Sequence, residues 1–146
     1  MANNIDVKLE QFPFHHTIKT RWRDLDAFRH VNNATFLSYI EDARILLLKK
    51  WKVDFGKKSL IVASVKIDYL KQIKHPSSLT LGQRISRLGN KSFDIQSAIF
   101  LKDDINPSCF STVTSVAYDF KLSKTVKVYP EIINDYNLSQ KHKDLK

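Results

Sequence analysis

Between Asn33 and Trp51 the apolar residues Phe36, Ile40, Ala43, Leu47 and Trp51 recur at spacings of three and four, which places them on one face of an α-helix. Asn32 or Asn33 can cap its start. Glu41 and Asp42 lie in its first half and Lys49 and Lys50 near its end, the order that the helix dipole favours. Leu37, Leu46 and Leu48 widen the apolar surface beyond a narrow stripe, so the pattern predicts a substantially buried helix. A long helix of this kind must be covered by other elements, and that requirement constrains the fold more than any other feature of the chain.

The covering elements read as strands. From Phe14 to Trp22 the residues Phe14, His16, Ile18, Thr20 and Trp22 share one face, while His15, Thr17, Lys19, Arg21 and Arg23 share the other, which predicts a strand with a charged outer side. After the helix, Ile61, Ala63, Val65, Ile67 and Tyr69 alternate with Val62, Ser64, Lys66 and Asp68. Three more strands are predicted on Leu79, Leu81 and Ile85, on Phe93 to Leu101, and on Val116, Tyr118, Phe120 and Leu122. His75-Pro76-Ser77-Ser78, Gly89-Asn90 and Asn106-Pro107 supply turn chemistry between them. The order strand, helix, four strands predicts an α+β fold, with a mostly antiparallel sheet of about five strands around one long central helix. Such a sheet has unpaired edges, and a homodimer or dimer of dimers is the expected way to cover them.

A chain of 146 residues with 42% hydrophobic content reads as one domain, 1–146, without linker, repeat or low-complexity tract. The lone cysteine, Cys109, has no internal partner and fits a reducing compartment, so a cytoplasmic protein is expected. No stretch approaches the roughly 18 apolar residues of a membrane span, and the N-terminus lacks a leader pattern. The formal charge of +9 is spread along the chain, with mild enrichment from Lys121 to Lys127 and at Lys141, Lys143 and Lys146. It reads first as a solvated basic surface, and nucleic acid, an anionic membrane surface and a phosphorylated small molecule are the other partners it could attract.

Gly56, Gly82 and Gly89 lie too far apart for a nucleophile elbow, a phosphate loop or a dinucleotide fingerprint. His15 and His16 point to opposite faces of a strand, so no metal site is expected. Polarity concentrates instead at the junction between the first strand and the helix. There two carboxylates, an imidazole and two carboxamides occupy the ten residues from Asp24 to Asn33. The segment runs into a helix start, where free backbone N–H groups and the positive dipole end can hold an oxyanion.

The run Asp24-Leu25-Asp26-Ala27-Phe28-Arg29-His30-Val31-Asn32-Asn33-Ala34, continued by Phe36, Tyr39, Glu41, Ala43 and Arg44, resembles the signature of hot-dog-fold acyl thioesterases. That superfamily includes the 4-hydroxybenzoyl-CoA and plant acyl-carrier-protein thioesterases. The match is densest from Thr20 to Leu48, and Leu88 to Phe93 is similar to the family's turn before its fourth strand. The resemblance implies a hot-dog fold, a role in lipid metabolism, and hydrolysis of acyl-CoA or an acyl-carrier-protein thioester. No cofactor is implied beyond the coenzyme A of the substrate.

Carried over by position, Asp26 is the general base or nucleophile, the N–H near Asn33 polarises the thioester carbonyl, and His30 assists. The plant pattern has asparagine where this chain has Phe28. Phe36 is implied in the acyl pocket, and Lys91 and Ser92 toward the coenzyme A phosphates, with Arg84, Arg87 and Lys127 as other candidate cations. Each residue also has a structural reading. Asp26 fits a turn carboxylate, His30 a packed histidine, Asn32 and Asn33 helix caps, Asp24 a turn or ion-pair residue, and Glu41 with Arg44 an intrahelical pair. Two rival functions remain open: a non-catalytic acyl-CoA-binding module and a basic nucleic-acid-binding domain.

Overall fold

The apolar alternation and the helical period resolve into eight elements in the computed structural model, which describes residues 4–54 and 56–144. They are β1 (Phe14–Lys19), α1 (Asn33–Lys50), β2 (Ser59–Tyr69), β3 (Ser78–Leu88), β4 (Ser92–Leu101), β5 (Cys109–Asp119), β6 (Lys124–Thr125) and α2 (Pro130–Asp144), with 3₁₀ turns at Leu9–Gln11 and Trp22–Asp24. Lys146 of the basic tail lies outside the described residues. The strands form one six-stranded sheet in the order β1-β3-β4-β5-β2, with β6 paired to β5. β1 runs antiparallel to β3, from Phe14 opposite Gln83 to Lys19 opposite Ser78.

The chain divides into two compact units: Met1–Arg44, Lys66–Arg84 and Gln96–Ser111 form the first; Ile45–Val65, Ile85–Ile95 and Thr112–Lys146 form the second. In the first unit Phe36, Tyr39, Ile40 and Ala43 of α1 pack with Ile73, Leu79, Leu81, Ile99 and Cys109 in one buried cluster. A neighbouring cluster joins Phe12 to Ala98 and Phe100, with the Phe12 and Phe100 rings edge-on at 6.4 Å.

In the second unit, Leu47, Leu48 and Trp51 are buried, and Trp51 meets Phe93 edge-on at 5.8 Å. Here α1 ends in a Schellman motif. Lys52 takes the left-handed conformation at φ 57°, its N–H bonds to Lys49 O, and the Val53 N–H bonds back to Leu48 O. The predicted stripe of Phe36, Ile40, Ala43, Leu47 and Trp51 is buried throughout. Leu37 and Leu46, expected to widen it, are exposed together with Ile45.

Three other expectations need correction. The first strand ends at Lys19 because Thr20 turns its N–H to Ser77 O and its hydroxyl takes the Ser77 N–H, and the 3₁₀ turn then carries Trp22 out to 77% exposure. The last long strand covers Cys109–Asp119 rather than reaching Leu122. Asp119 Oδ1 accepts the N–H groups of Lys121 and Leu122, and Ser123 at φ 50° closes a turn that leaves Phe120 and Leu122 exposed.

A second helix, α2, is the third difference. Its cues are Pro130 at the first helical position, Glu131 in the first turn, and Lys141, His142 and Lys143 in the last. Its amphipathic stripe is weak, with Ile132 its only fully buried residue, so hydrophobic periodicity does not reveal it. No helix among the described residues is long and apolar enough to cross a membrane.

Candidate active site

The junction between β1 and α1 folds into a closed loop within the first unit. Asn32 N–H bonds to Asp24 O at 2.9 Å, Leu25 and Val31 form an antiparallel bridge, and Asp26 N–H bonds to His30 O at 2.9 Å. Arg29 N–H returns to Asp26 O, which requires Arg29 to adopt a left-handed φ of 63°. The Val31 N–H bonds to Ile73 O at 2.8 Å and holds the loop against the buried cluster.

Asp26 sits at the turn of this loop. Its Oδ1 accepts the N–H of Phe28 at 2.8 Å and, at a longer 3.5 Å, that of His30. This is the Asx turn of the structural reading, and it immobilises the carboxylate through one oxygen only. The other oxygen, Oδ2, accepts no hydrogen bond among the described residues. An anchored carboxylate with a free oxygen is the form a general base or nucleophile needs.

The helix start lies in the same pocket. Asn32 is the cap, since its Oδ1 accepts the Ala34 N–H at 3.0 Å and its carbonyl accepts the Thr35 N–H at 2.8 Å. The Asn33 N–H belongs to the first turn, where no intrahelical acceptor exists, and the cap engages its neighbours instead. Tyr69, at the end of β2, donates its hydroxyl to Asn33 O at 2.9 Å and stands edge-on to Phe36 at 5.2 Å. Asp26, His30, Asn33, Phe36, Tyr69 and Lys71 are among the residues that line a cavity of about 510 Å³. Phe36 is both a core residue, 1% exposed, and a wall of this cavity.

His30 is half-buried, and its Nδ1 is buried without a hydrogen-bond partner among the described residues. The ring is therefore placed by packing and by its backbone, and carries an unused polar atom. Phe28, where the plant pattern has asparagine, lines the cavity at 81% exposure and offers no hydrogen-bonding group from its side chain.

Lys91 and Ser92 do not line this cavity. Lys91 lies in the β3–β4 turn of the second unit and Ser92 opens β4; Lys91 O accepts the Ala117 N–H, Ser92 O accepts the Gly89 N–H, and Ser92 Oγ accepts from Arg87. Arg87 also makes two bonds to Asp94, and Arg84 bonds Gln96 while lying over the Phe12 ring, so both guanidiniums have structural work. Glu41 and Arg44 form the expected pair at 3.8 Å.

Tyr69, Lys71 and Gln72 are pocket residues that the sequence did not single out; they join it because the end of β2 reaches the start of α1. Lys71 is held by Asp104 at 2.7 Å. Cys109 is fully buried, and burial, with the Asp68 charge, pushes its thiol up to about 12, so it is inert as expected.

The fold and the family match place the chain among the thioesterases of hot-dog fold. Residues 20–135 match the thioesterase-like superfamily, and the chain belongs to that family of thioester hydrolases. The long-chain acyl-CoA thioesterase FadM of Escherichia coli is 27% identical over 120 residues, covering 79% of this chain and 90% of that protein. A Thermus thermophilus thioesterase solved in complex with coenzyme A and zinc is 27% identical, with a TM-score of 0.75 over 86% of this chain and 98% of that one. The PA5185 protein of Pseudomonas aeruginosa is also 27% identical, with a TM-score of 0.83 over 90% and 94% of the two chains.

Proposed function

We propose that this protein hydrolyses an acyl-CoA to a carboxylic acid and free coenzyme A, with Asp26 as general base or nucleophile. The observation that carries the reading is the Asp26 carboxylate, tied to the loop through Oδ1 with Oδ2 free, in one cavity with the first turn of α1. In the general-base form, Asp26 takes a proton from water as the water oxygen attacks the thioester carbonyl carbon. The carbonyl oxygen gathers negative charge against the Asn33 N–H and the dipole of α1. Collapse of the intermediate breaks the C–S bond, the electron pair leaves on sulfur, and the proton passes to the thiolate. In the nucleophile form, a carboxylate oxygen of Asp26 attacks the carbonyl carbon, and the C–S bond breaks with its electron pair leaving on the coenzyme A sulfur. Water then hydrolyses the mixed anhydride to the carboxylic acid and the restored Asp26, a proton passing to the thiolate.

A thiolate is a good leaving group, so one carboxylate and one or two oxyanion donors suffice without a serine triad. His30 assists by orienting water or the carbonyl. Phe36 lines the acyl chain. Lys91 and Ser92 act from outside the cavity on the phosphates of coenzyme A; Ser92 Oγ accepts from Arg87 and keeps its own proton to donate. FadM acts on long-chain acyl-CoA by its name, which favours coenzyme A thioesters in lipid metabolism over carrier-protein thioesters.

The whole chain, 1–146, acts as one domain in this reading, in the cytoplasm, as a homodimer or homotetramer. β2 is the strand that a second copy covers. It ends the strand order, and Ile61, Val62, Val65 and Tyr69 leave both of its faces exposed.

A panel of short, long and aromatic acyl-CoAs, with matched acyl-carrier-protein thioesters, tests the proposal through colorimetric thiol release. Turnover of acyl-CoA supports it. Saturable binding without turnover favours the non-catalytic module, and steeply salt-dependent binding to DNA or RNA favours the nucleic-acid domain.

A further inference from the structure

Asp24 is the other carboxylate of the junction, and its surroundings exclude a catalytic part while giving it a different one. It is 3% exposed, and both of its oxygens are fully engaged. Oδ2 accepts the Tyr39 hydroxyl at 2.6 Å and the Arg21 N–H at 2.8 Å; Oδ1 accepts Arg21 Nε at 3.3 Å and Nη2 at 3.1 Å. No lone pair is left for a substrate. Tyr39, 1% exposed, lies in α1, so this carboxylate is fastened to the body of the helix, while its backbone carbonyl takes the N–H of Asn32, the helix cap.

One residue is thus tied to α1 twice, at its cap and in its second turn. The loop carrying Asp26 starts and ends at these ties, because the residues between Asp24 and Asn32 close on themselves through the Leu25–Val31 bridge and the Asp26–His30 bond. A shift of Asp24 relative to α1 therefore moves the Asp26 carboxylate relative to the Asn33 N–H. Those two groups must meet opposite sides of one thioester carbonyl, and a misplacement of about 1 Å can cost on the order of a hundredfold in rate.

We infer that Asp24 is a positioning residue: its buried carboxylate, clamped by Tyr39 and Arg21, sets the distance between Asp26 and the start of α1. The inference rests on the thioesterase reading for its consequence in rate, and on the hydrogen bonds alone for its consequence in structure. A buried carboxylate that loses a charge-assisted bond shifts toward its remaining donors, here those of Arg21.

Tyr39→Phe keeps the ring in the core and removes only the hydroxyl. Two readouts apply, at a temperature where variant and wild type are both fully folded. In thiol release from acyl-CoA, kcat falls about tenfold with KM within twofold. In backbone amide exchange, the Asn32 and Asp26 N–H groups exchange at least tenfold faster, while the amide of Ile99 in β4 keeps its rate. Asp24→Asn, which retains shape but loses charge, gives the same pattern.

Unchanged exchange at Asn32 and Asp26 overturns the inference. So does acceleration shared equally by Ile99, which means general loosening, and so does an unchanged kcat beside a loosened loop. If the wild type releases no thiol while the exchange pattern holds, the thioesterase reading falls and the double tie stands.

Discussion

Asn32 separates helix capping from catalysis, because one substitution series moves the two in different directions. Its Oδ1 accepts the Ala34 N–H at 3.0 Å, and Asn32→Ala removes that bond. The site is exposed, so water takes over part of the loss and the cost is about 1 kcal/mol, or roughly 3 to 4 °C in Tm for a chain of this length. Asn32→Ser and Asn32→Asp both restore a capping oxygen, and Asp adds a favourable charge at the helix start, so both hold Tm within about 1 °C of wild type.

Activity divides the pair. A carboxylate at the cap faces the negative charge that develops on the carbonyl oxygen beside the Asn33 N–H. At a separation of about 5 Å in a partly solvated site, the repulsion is on the order of 2 kcal/mol, which lowers kcat roughly thirtyfold. Asn32→Ser carries no charge and keeps kcat within about threefold. The assays are thermal unfolding and steady-state thiol release. If Asn32→Asp is as active as Asn32→Ser, no oxyanion forms at this helix start, and the assignment of the Asn33 N–H is refuted.

Other outcomes follow from the packing and the charges. A Cβ on Gly82 would lie 2.7 Å from Cβ and Cγ of Phe12, so Gly82→Ala costs about 2 kcal/mol in urea unfolding and much less in a Phe12→Ala background; equal costs in both would contradict the steric cause. Cys109 stays unreactive to thiol reagents in the native protein and reacts once unfolded; it therefore adds no background to thiol-release assays, whereas prompt native labelling would show an accessible thiol. Burial opposes the charge of Asp24, but the bonds from Tyr39 and Arg21 outweigh it and hold the carboxyl below its usual 3.8. Its stabilisation is therefore complete above about pH 4 and fades as pH falls through the lower folded value, so urea midpoints drop across this range and Asp24→Asn flattens the drop. An identical acid slope in the variant would remove Asp24 from that account.

The legible parts of the chain are those governed by local rules. The stripe from Phe36 to Trp51 fixes α1 to within a residue, because a buried face repeats every three or four positions whatever lies opposite it. Asp26 and the helix start are legible as a motif, and the hydrogen-bonded loop shows the turn reading of the aspartate while leaving its second oxygen open for the proposed chemistry. Trp22 lies outside the strand although the alternation runs on to it. The Thr20 hydroxyl takes the Ser77 N–H and ends the pairing with a residue more than fifty positions away, which alternation does not reveal. The second helix is not legible from periodicity because it buries little and its cues lie in its ends.

Tyr69 and Lys71 are pocket residues only through the path of β2, and no local pattern announces that. Asp24 is legible as a turn or ion-pair residue beside Arg21 and Arg23, and the structure pairs it with Arg21, but its bond to Tyr39 crosses fifteen positions between a turn and a helix. Glycine spacing helped by exclusion, since Gly56, Gly82 and Gly89 leave no room for the common nucleophile or phosphate loops. Side-chain roles at Lys91 and Ser92 depend on what meets the β3–β4 turn, which spacing does not specify.

The most direct measurement is thiol release from acyl-CoA by wild-type protein and by Asp26→Asn, compared at equal folded concentration. The amide of Asn keeps an oxygen for the Phe28 N–H, so the loop is retained while the charge is lost. The account predicts a fall in kcat of about 10² to 10⁴, the range expected for loss of a general base. Activity within threefold of wild type would contradict it.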